Sequence, residues 1–275
     1  MVKIFFLILF LFSSLHAQDL LIKKIQNLVS PKTFAKDRAF IETIFSPKSE
    51  FYNSNGAVDS IKVIKTLKEN GILNLFFQKP RDINISFKTN GEALFFIKIM
   101  SDALQNIGYY KYVTKESSLD GEEFVWKINL TSEYAADPII LSQELKKNGC
   151  QISDVVRENE SDWSYVVDMK NAKLDVSTLE GGVTFSLKRS LYAYWLDVSN
   201  VESVDITSSL RNDWYPYIAF YDKSLKLLSV IKLDTKKTEI TIDINSDVRY
   251  IKISDIYTLK NIKDDLVLLP RERKY

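Results

Sequence analysis

Histidine is nearly absent from this 275-residue chain: there is one, His16. Cysteine is equally scarce, with Cys150 alone, and glycine and proline number only 8 and 6. Each shortage excludes something. A single cysteine cannot close an intrachain disulfide, so the fold must be held by its packed core. The eight glycines form neither GxxxxGK[ST] nor GxGxxG, and the backbone cradles that hold nucleotide phosphates therefore lack their signature. With few glycines and prolines and no low-complexity tract, the chain reads as ordered throughout, without a long linker.

The histidine shortage becomes complete once the first residues are considered. "MVKIFFLILFLFSSLHAQD" has a short basic start at Lys3, an apolar run from Ile4 to Phe12 and a small-residue exit at Ala17. This is the layout of a secretory signal peptide spanning residues 1–17. The run is short of the roughly 20 residues a membrane-crossing helix needs. No cysteine follows it to carry a lipid. A periplasmic or secreted mature protein is expected, with an uncleaved anchor in the inner membrane as the alternative. Cleavage removes both His16 and Lys3, leaving 36 basic and 36 acidic residues. Ser-His-Asp and Cys-His catalysis are then ruled out, as are the usual histidine-based catalytic zinc sites. No metal or other cofactor is expected. A balanced charge gives no pull toward nucleic acid or anionic lipid.

What is present is clear periodicity, and it changes twice. Over 18–78 the spacing is helical: Leu21, Ile25, Leu28 and Val29 share a face, then Ile41, Ile44 and Phe45, then Ile61, Ile64 and Leu67 before Gly71. This predicts a helical layer. Over 79–171 the pattern is mixed. Ile83, Ile85 and Phe87 alternate as in a half-buried strand, and Ala93, Phe96, Met100, Leu104 and Ile107 follow at helical spacing. Phe124, Trp126, Ile128 and Leu130 form another strand, joined to the preceding one across an Asp120-Gly121 turn. Asp137-Pro138 caps a second helix, and two strands follow near Ile152–Val156 and Trp163–Val167. Strand, helix, strand, strand, helix, strand is the order of a ferredoxin-like α+β unit. Beyond residue 172 only alternation remains, as at Val183, Phe185 and Leu187, at Tyr192, Tyr194, Leu196 and Val198, and at Ile240, Ile242 and Ile244. Residues 172–270 are expected to form an antiparallel β-sandwich or jelly roll, and 271–275, "RERKY", a solvated charged tail.

Within this last part, "WYPYIAFYDKSLKLLSVIKL", "EITIDI" and "RYIKISD" resemble the later strands of galactose-binding-like jelly rolls, the fold of discoidin-type domains and many carbohydrate-binding modules. The resemblance covers about sixty residues. It implies a non-catalytic module that binds glycan, lipid or protein through loops at one end of the sandwich. It would place Trp214, Tyr215 and Arg211 near the ligand; no calcium motif of that family is matched. Alternation by itself separates Ile218 and Phe220 on one face from Tyr217, Ala219 and Tyr221 on the other. Trp214 and Tyr215, at the strand entrance, are expected to form a solvent-facing platform on which a sugar ring stacks.

Other features point elsewhere. Glycoside hydrolysis needs two carboxylates and no histidine, and Glu122, Glu123, Asp213 and Asp222 are the candidates. "DINIS" matches the extended D/E-x-N-x-S/T acceptor of bacterial N-glycosylation at Asn84, whereas the sequons at Asn129 and Asn159 have Lys127 and Arg157 in place of the acid. Cys150, without a histidine to activate it, reads as a small buried apolar residue. Together these observations predict a non-enzymatic envelope protein whose partners are other envelope proteins or a cell-surface glycan. A carboxylate-dependent glycan hydrolase is the alternative class.

Overall fold

A computed structural model describes residues 20–273. The expected signal peptide lies outside the described residues. The chain is mixed α/β and mostly β, with six α-helices and three sheets among the described residues. No described helix is long and apolar enough to cross a membrane. Two compact units divide at residue 172/173.

In the first unit, a helix over residues 20–28 (α1) is followed by α2 (Pro31–Lys36), α3 (Arg38–Ile44) and α4 (Ser60–Glu69). Ser30 caps α2 through its hydroxyl and Asp59 caps α4 through its carboxylate, each accepting a backbone N–H of the first turn. The apolar stripes then close on the core, with Leu21, Ile25, Leu28, Ile41, Phe45, Ile64 and Leu67 fully buried. Val63 joins them, whereas Ile61 is only half-buried.

The sheet of this unit is built from β1 (Phe76–Thr89), β2 (Val113–Asp120), β3 (Glu123–Tyr134), β4 (Gln151–Arg157) and β5 (Asp162–Asp168), with α5 (Ala93–Asn106) after β1 and α6 (Pro138–Lys147) after β3. Its order is β2-β3-β1-β5-β4. The two-residue connection from β2 to β3 places Gly121 at φ 59°, a conformation that favours glycine. β1 runs antiparallel to β3 and parallel to β5, and β5 lies between β1 and β4. Alternation decides the faces. Ile83, Ile85 and Phe87 of β1, Phe124, Trp126, Ile128 and Leu130 of β3, and Trp163, Tyr165 and Val167 of β5 turn to one side with Phe96, Met100 and Leu104 of α5. Phe87 sits 5.9 Å from Trp126 and 5.5 Å from Tyr165 between ring centroids. Cys150 is buried just beyond α6, and loss of solvation with the nearby Asp168 pushes its thiol up to about 11.

The two edges of this sheet differ. At β4, α1 covers the strand's open hydrogen-bonding groups: Asn27 donates to the Arg157 carbonyl (3.1 Å) and accepts from its N–H (3.0 Å). Lys24 donates to the Val155 carbonyl at 3.1 Å and pairs with Asp154 at 2.5 Å. The β2 edge keeps Val113 and Leu119 exposed and carries a register shift between Thr114 and Glu116, together with Lys115. Bulges and charge are common protections against edge pairing.

The second unit has two sheets sharing one apolar core, consistent with a β-sandwich. One contains β6 (Ser177–Thr178), β8 (Tyr194–Asp197), β10 (Pro216–Tyr221), β11 (Leu227–Lys232) and β13 (Tyr250–Asp255), in the order β11-β10-β13-β8-β6. The other contains β7 (Phe185–Leu187), β9 (Val201–Ser208), β12 (Glu239–Asp243) and β14 (Leu266–Glu272), in the order β12-β9-β14-β7. Every pairing is antiparallel except the short β6–β8 contact. The expected charged tail is corrected at its start. β14 runs through Arg271 and Glu272, Arg271 pairs with Asp205 at 2.8 Å, and Arg273 donates to the carbonyls of Val201, Ile244 and Asn245.

Candidate functional site

The loop into β10 is fixed by two buried polar side chains. Asn212, completely buried, accepts from the N–H groups of Lys263 and Asp264 at 2.7 Å each and donates to Ser208 and the Asp264 carbonyl. Asp255, at the end of β13, accepts from the N–H groups of Tyr215, Tyr257 and Thr258 and from the Asn261 side chain. These bonds set the phase with which the chain enters the strand, and that phase sorts the aromatic cluster.

Trp214 points inward. It is completely buried in the sandwich core with Ile218 and Phe220, and its indole N–H donates to the Ser254 carbonyl at 2.9 Å. The expected solvent-facing platform is therefore corrected at this residue, because strand alternation places Trp214, Ile218 and Phe220 on one side. Tyr215 takes the opposite phase with Tyr217, Ala219 and Tyr221. The Ile256 N–H bonds the Tyr215 carbonyl, extending the ladder to it. The Tyr215 ring is half-buried and meets Tyr257 edge-on at 5.2 Å. Tyr257 donates its hydroxyl to Asp234, and the nearby carboxylate holds that phenol above its ordinary range.

The outward side of β10 thus carries a tyrosine stripe. Residues two apart on a strand are spaced by roughly 6.5–7 Å, so Tyr215 and Tyr221 are about 20 Å apart along it. At its far end Tyr221 meets a tryptophan that the alternation of Tyr194 and Leu196 passes over. Trp195, in the opposite phase on β8, packs against Tyr221 with centroids 4.9 Å apart and planes tilted by 37°. The usable signal was its parity: in a strand whose even positions supply the core, a tryptophan at an odd position faces out.

Two lysines share this face. Lys252 lies opposite both Ala219 and Trp195 in the ladder, with its ammonium 5.7 Å from the Trp195 ring centre. Lys232 lies opposite Tyr217 and is exposed. Neither enters an ion pair within the described residues, whereas the neighbouring Arg249 is held by Asp197 at 2.6 Å. The phenol of Tyr221 is pushed upward by loss of solvation and then by Tyr217. The Tyr215–Tyr217–Tyr221–Trp195 array supplies apolar ring surface and hydroxyls on a rigid sheet, with positive charge beside it.

The remaining candidates fall elsewhere. Arg211 is exposed in the loop before β10 and leans toward Asp264, 3.6 Å away. Asn84 lies in the middle of β1, on the exposed side of the first unit's sheet. It donates to Asp162 at 2.6 Å and accepts from Asn129 at 3.0 Å, so its amide is already engaged on the sheet. Around it, Lys127 pairs with Glu116 (2.7 Å) and Lys88 with Glu123 (3.6 Å) across a hollow of about 600 Å³. The Ser86 hydroxyl, which lines this hollow, has no hydrogen-bond partner among the described residues.

The four carboxylates proposed for hydrolysis lie at two separate turns and strand ends, Glu122 and Glu123 at the β2–β3 connection and Asp213 and Asp222 around β10. Asp213 and Asp222 bracket β10, whose six residues alone span roughly 17 Å between them. Glycosidase carboxylates stand about 5–10 Å apart. Asp213 is held by Lys236 at 3.0 Å and Lys263 at 2.7 Å, and the bonds from Lys263 and Lys236 keep it below its ordinary range, opposite to the shift a general acid needs. Asp222 accepts the N–H groups of Ser224 and Lys226 in the β10–β11 turn. Glu122 lies in the β2–β3 turn, and Glu123, the first residue of β3, pairs with Lys88.

No family model matches the chain, and no curated protein matches it.

Proposed function

We propose that the protein is a non-enzymatic binding component of a bacterial cell envelope, exported to the periplasm or beyond, that holds glycan on the aromatic face of its second unit. The observation that carries this reading is the Tyr215–Tyr217–Tyr221–Trp195 array of partly exposed rings on the outward side of a sandwich sheet. Pyranose rings present C–H faces that stack on such rings, and phenol hydroxyls supply orienting hydrogen bonds. The resemblance to galactose-binding-like jelly rolls supports the same class of ligand but implies a loop site, whereas the ring array lies on the sheet face. The first unit is read as a ferredoxin-like scaffold with β5 inserted between β1 and β4.

Retention on insoluble polysaccharides tests this. Wild-type protein is expected to be retained, and Trp195→Ala to lose about 30-fold in affinity, the cost of a central aromatic anchor of about 2 kcal/mol, with its fold intact. Equal retention of both proteins would overturn the site.

The β11 edge favours a second reading, docking of an envelope protein. Leu227, Leu228 and Val230 are exposed on a strand paired on one side only. An extended segment can add to such an edge. Crosslinking in the intact envelope, with recovery of a protein bound through β11, would shift weight to assembly.

A further inference from the structure

We infer that the glycan bound by the aromatic face is acidic, a polymer carrying uronic-acid carboxylates. This inference rests on the reading of that face as a glycan site and adds the ligand's charge. The residues around the stripe are not electrostatically neutral. Lys252 sits beside Trp195 and opposite Ala219, in the gap between Tyr217 and Tyr221, and Lys232 flanks Tyr217 on the other side. The acids nearby are engaged: Asp197 with Arg249, Asp234 with Tyr257, and Asp222 with the turn N–H groups. The middle of the stripe therefore presents two ammonium groups without carboxylate partners among the described residues.

The contrast with the first unit makes this informative. There, two lysines of the exposed sheet face each have an acid within reach, Lys127 with Glu116 and Lys88 with Glu123, and Lys115 at the β2 edge enters no ion pair among the described residues. At the aromatic face both lysines lack a carboxylate partner among the described residues, and they stand beside ring surface. A sugar stacked on Trp195 or Tyr217 would bring a ring carboxylate within reach of Lys252 or Lys232. The ring's apolar face and the acid's charge would then be recognised together, and partial desolvation strengthens the ionic contact. Neutral polymers would gain the stacking alone.

Affinity electrophoresis of the folded mature protein through gels holding polygalacturonate or a neutral β-glucan, at low and high salt, tests this. Polygalacturonate is expected to retard the wild type more strongly. The K232Q/K252Q double variant should lose about tenfold in affinity for it and little for the neutral glucan, and high salt should weaken the acidic interaction alone. Equal retardation by both polymers, unchanged in the double variant, would overturn the acidic assignment while leaving the glycan site standing. Retardation by neither would overturn the glycan reading itself. Retardation by polygalacturonate that survives Trp195→Ala but not the lysine changes would reduce the effect to ion exchange and also overturn the inference. Thermal denaturation of each variant confirms its fold, since Lys232 is exposed and Lys252 only half-buried.

Discussion

Each unit has a five-stranded sheet with an outward side, and the two sides are built on different principles. On the first, polar groups bind one another: Thr131 donates to Asp82 at 2.7 Å, Asn129 to Asn84, and Asn84 and Asn159 to Asp162, while lysines face glutamates. On the second, rings lie against rings and lysines stand without acids. A network whose members are already paired gains little from a ligand, because new bonds replace existing ones. Aromatic surface and uncompensated charge offer interactions that the fold does not itself use. Both kinds of surface meet along a single strand, since β10 supplies the core with its even positions and the outward stripe with its odd ones.

The largest effect should come from confusing those two sides. Trp214→Ala removes a completely buried indole and should cost about 3–5 kcal/mol, read as a large fall in the urea or thermal midpoint. Trp195→Ala should shift stability far less while removing glycan retention. If the two variants were equally unstable, the division of β10 and β8 into inner and outer positions would be wrong.

A smaller effect is expected on the polar side. Asp162→Ala leaves Asn84 and Asn159 without their shared acceptor at an accessible site, a loss of about 1 kcal/mol in denaturant unfolding with glycan retention unchanged. A loss of retention would show that the first unit takes part in binding.

The smallest effect should come from pH. The described residues contain no histidine. Asp154 is pushed upward by burial, but the bonds from Lys24 and Ser60 outweigh this and its folded pKa is lowered. Glu116 and Asp205 are lowered as well, each by bonds to its partners, Lys127 and Ser118 for the first and Thr241 and Arg271 for the second. A lowered carboxylate contributes stability that is present above its unfolded pKa, near 4, and is lost as pH falls through the folded value. Stability should therefore be level between about pH 5 and 8 and decline below about 4, as urea midpoints across that range would register. A step near pH 6–7 would contradict this account.

Alternation made much of the architecture legible. Ile83, Ile85 and Phe87, and Phe124 through Leu130, announced both their strands and their buried faces, and Asp120-Gly121 announced the turn between β2 and β3. The position of β5 between β1 and β4 was not legible, because pairing across more than seventy residues leaves no local pattern. The site was half legible. Tyr217, Ala219 and Tyr221 separate from Ile218 and Phe220 by parity alone, and the same parity extended back across Pro216 sends Trp214 inward and Tyr215 outward. Reading the strand entrance as outside the alternation misplaced Trp214. Trp195 does not show in the apolar alternation of its strand, because that pattern marks only the core positions Tyr194 and Leu196. Arg211 shows the limit of transferring a role by resemblance, since it lies in the loop before the stripe and leans toward Asp264.

Trp126, Trp163 and Trp214 are all buried, and of the four tryptophans Trp195 alone is partly open to solvent. The molecule therefore carries its own optical label at the outward array. A soluble collisional quencher should reach that one indole selectively, and a bound oligosaccharide should shield it. Occupancy of the aromatic face becomes measurable in the unlabelled wild-type protein, from the fraction of emission the quencher can no longer extinguish.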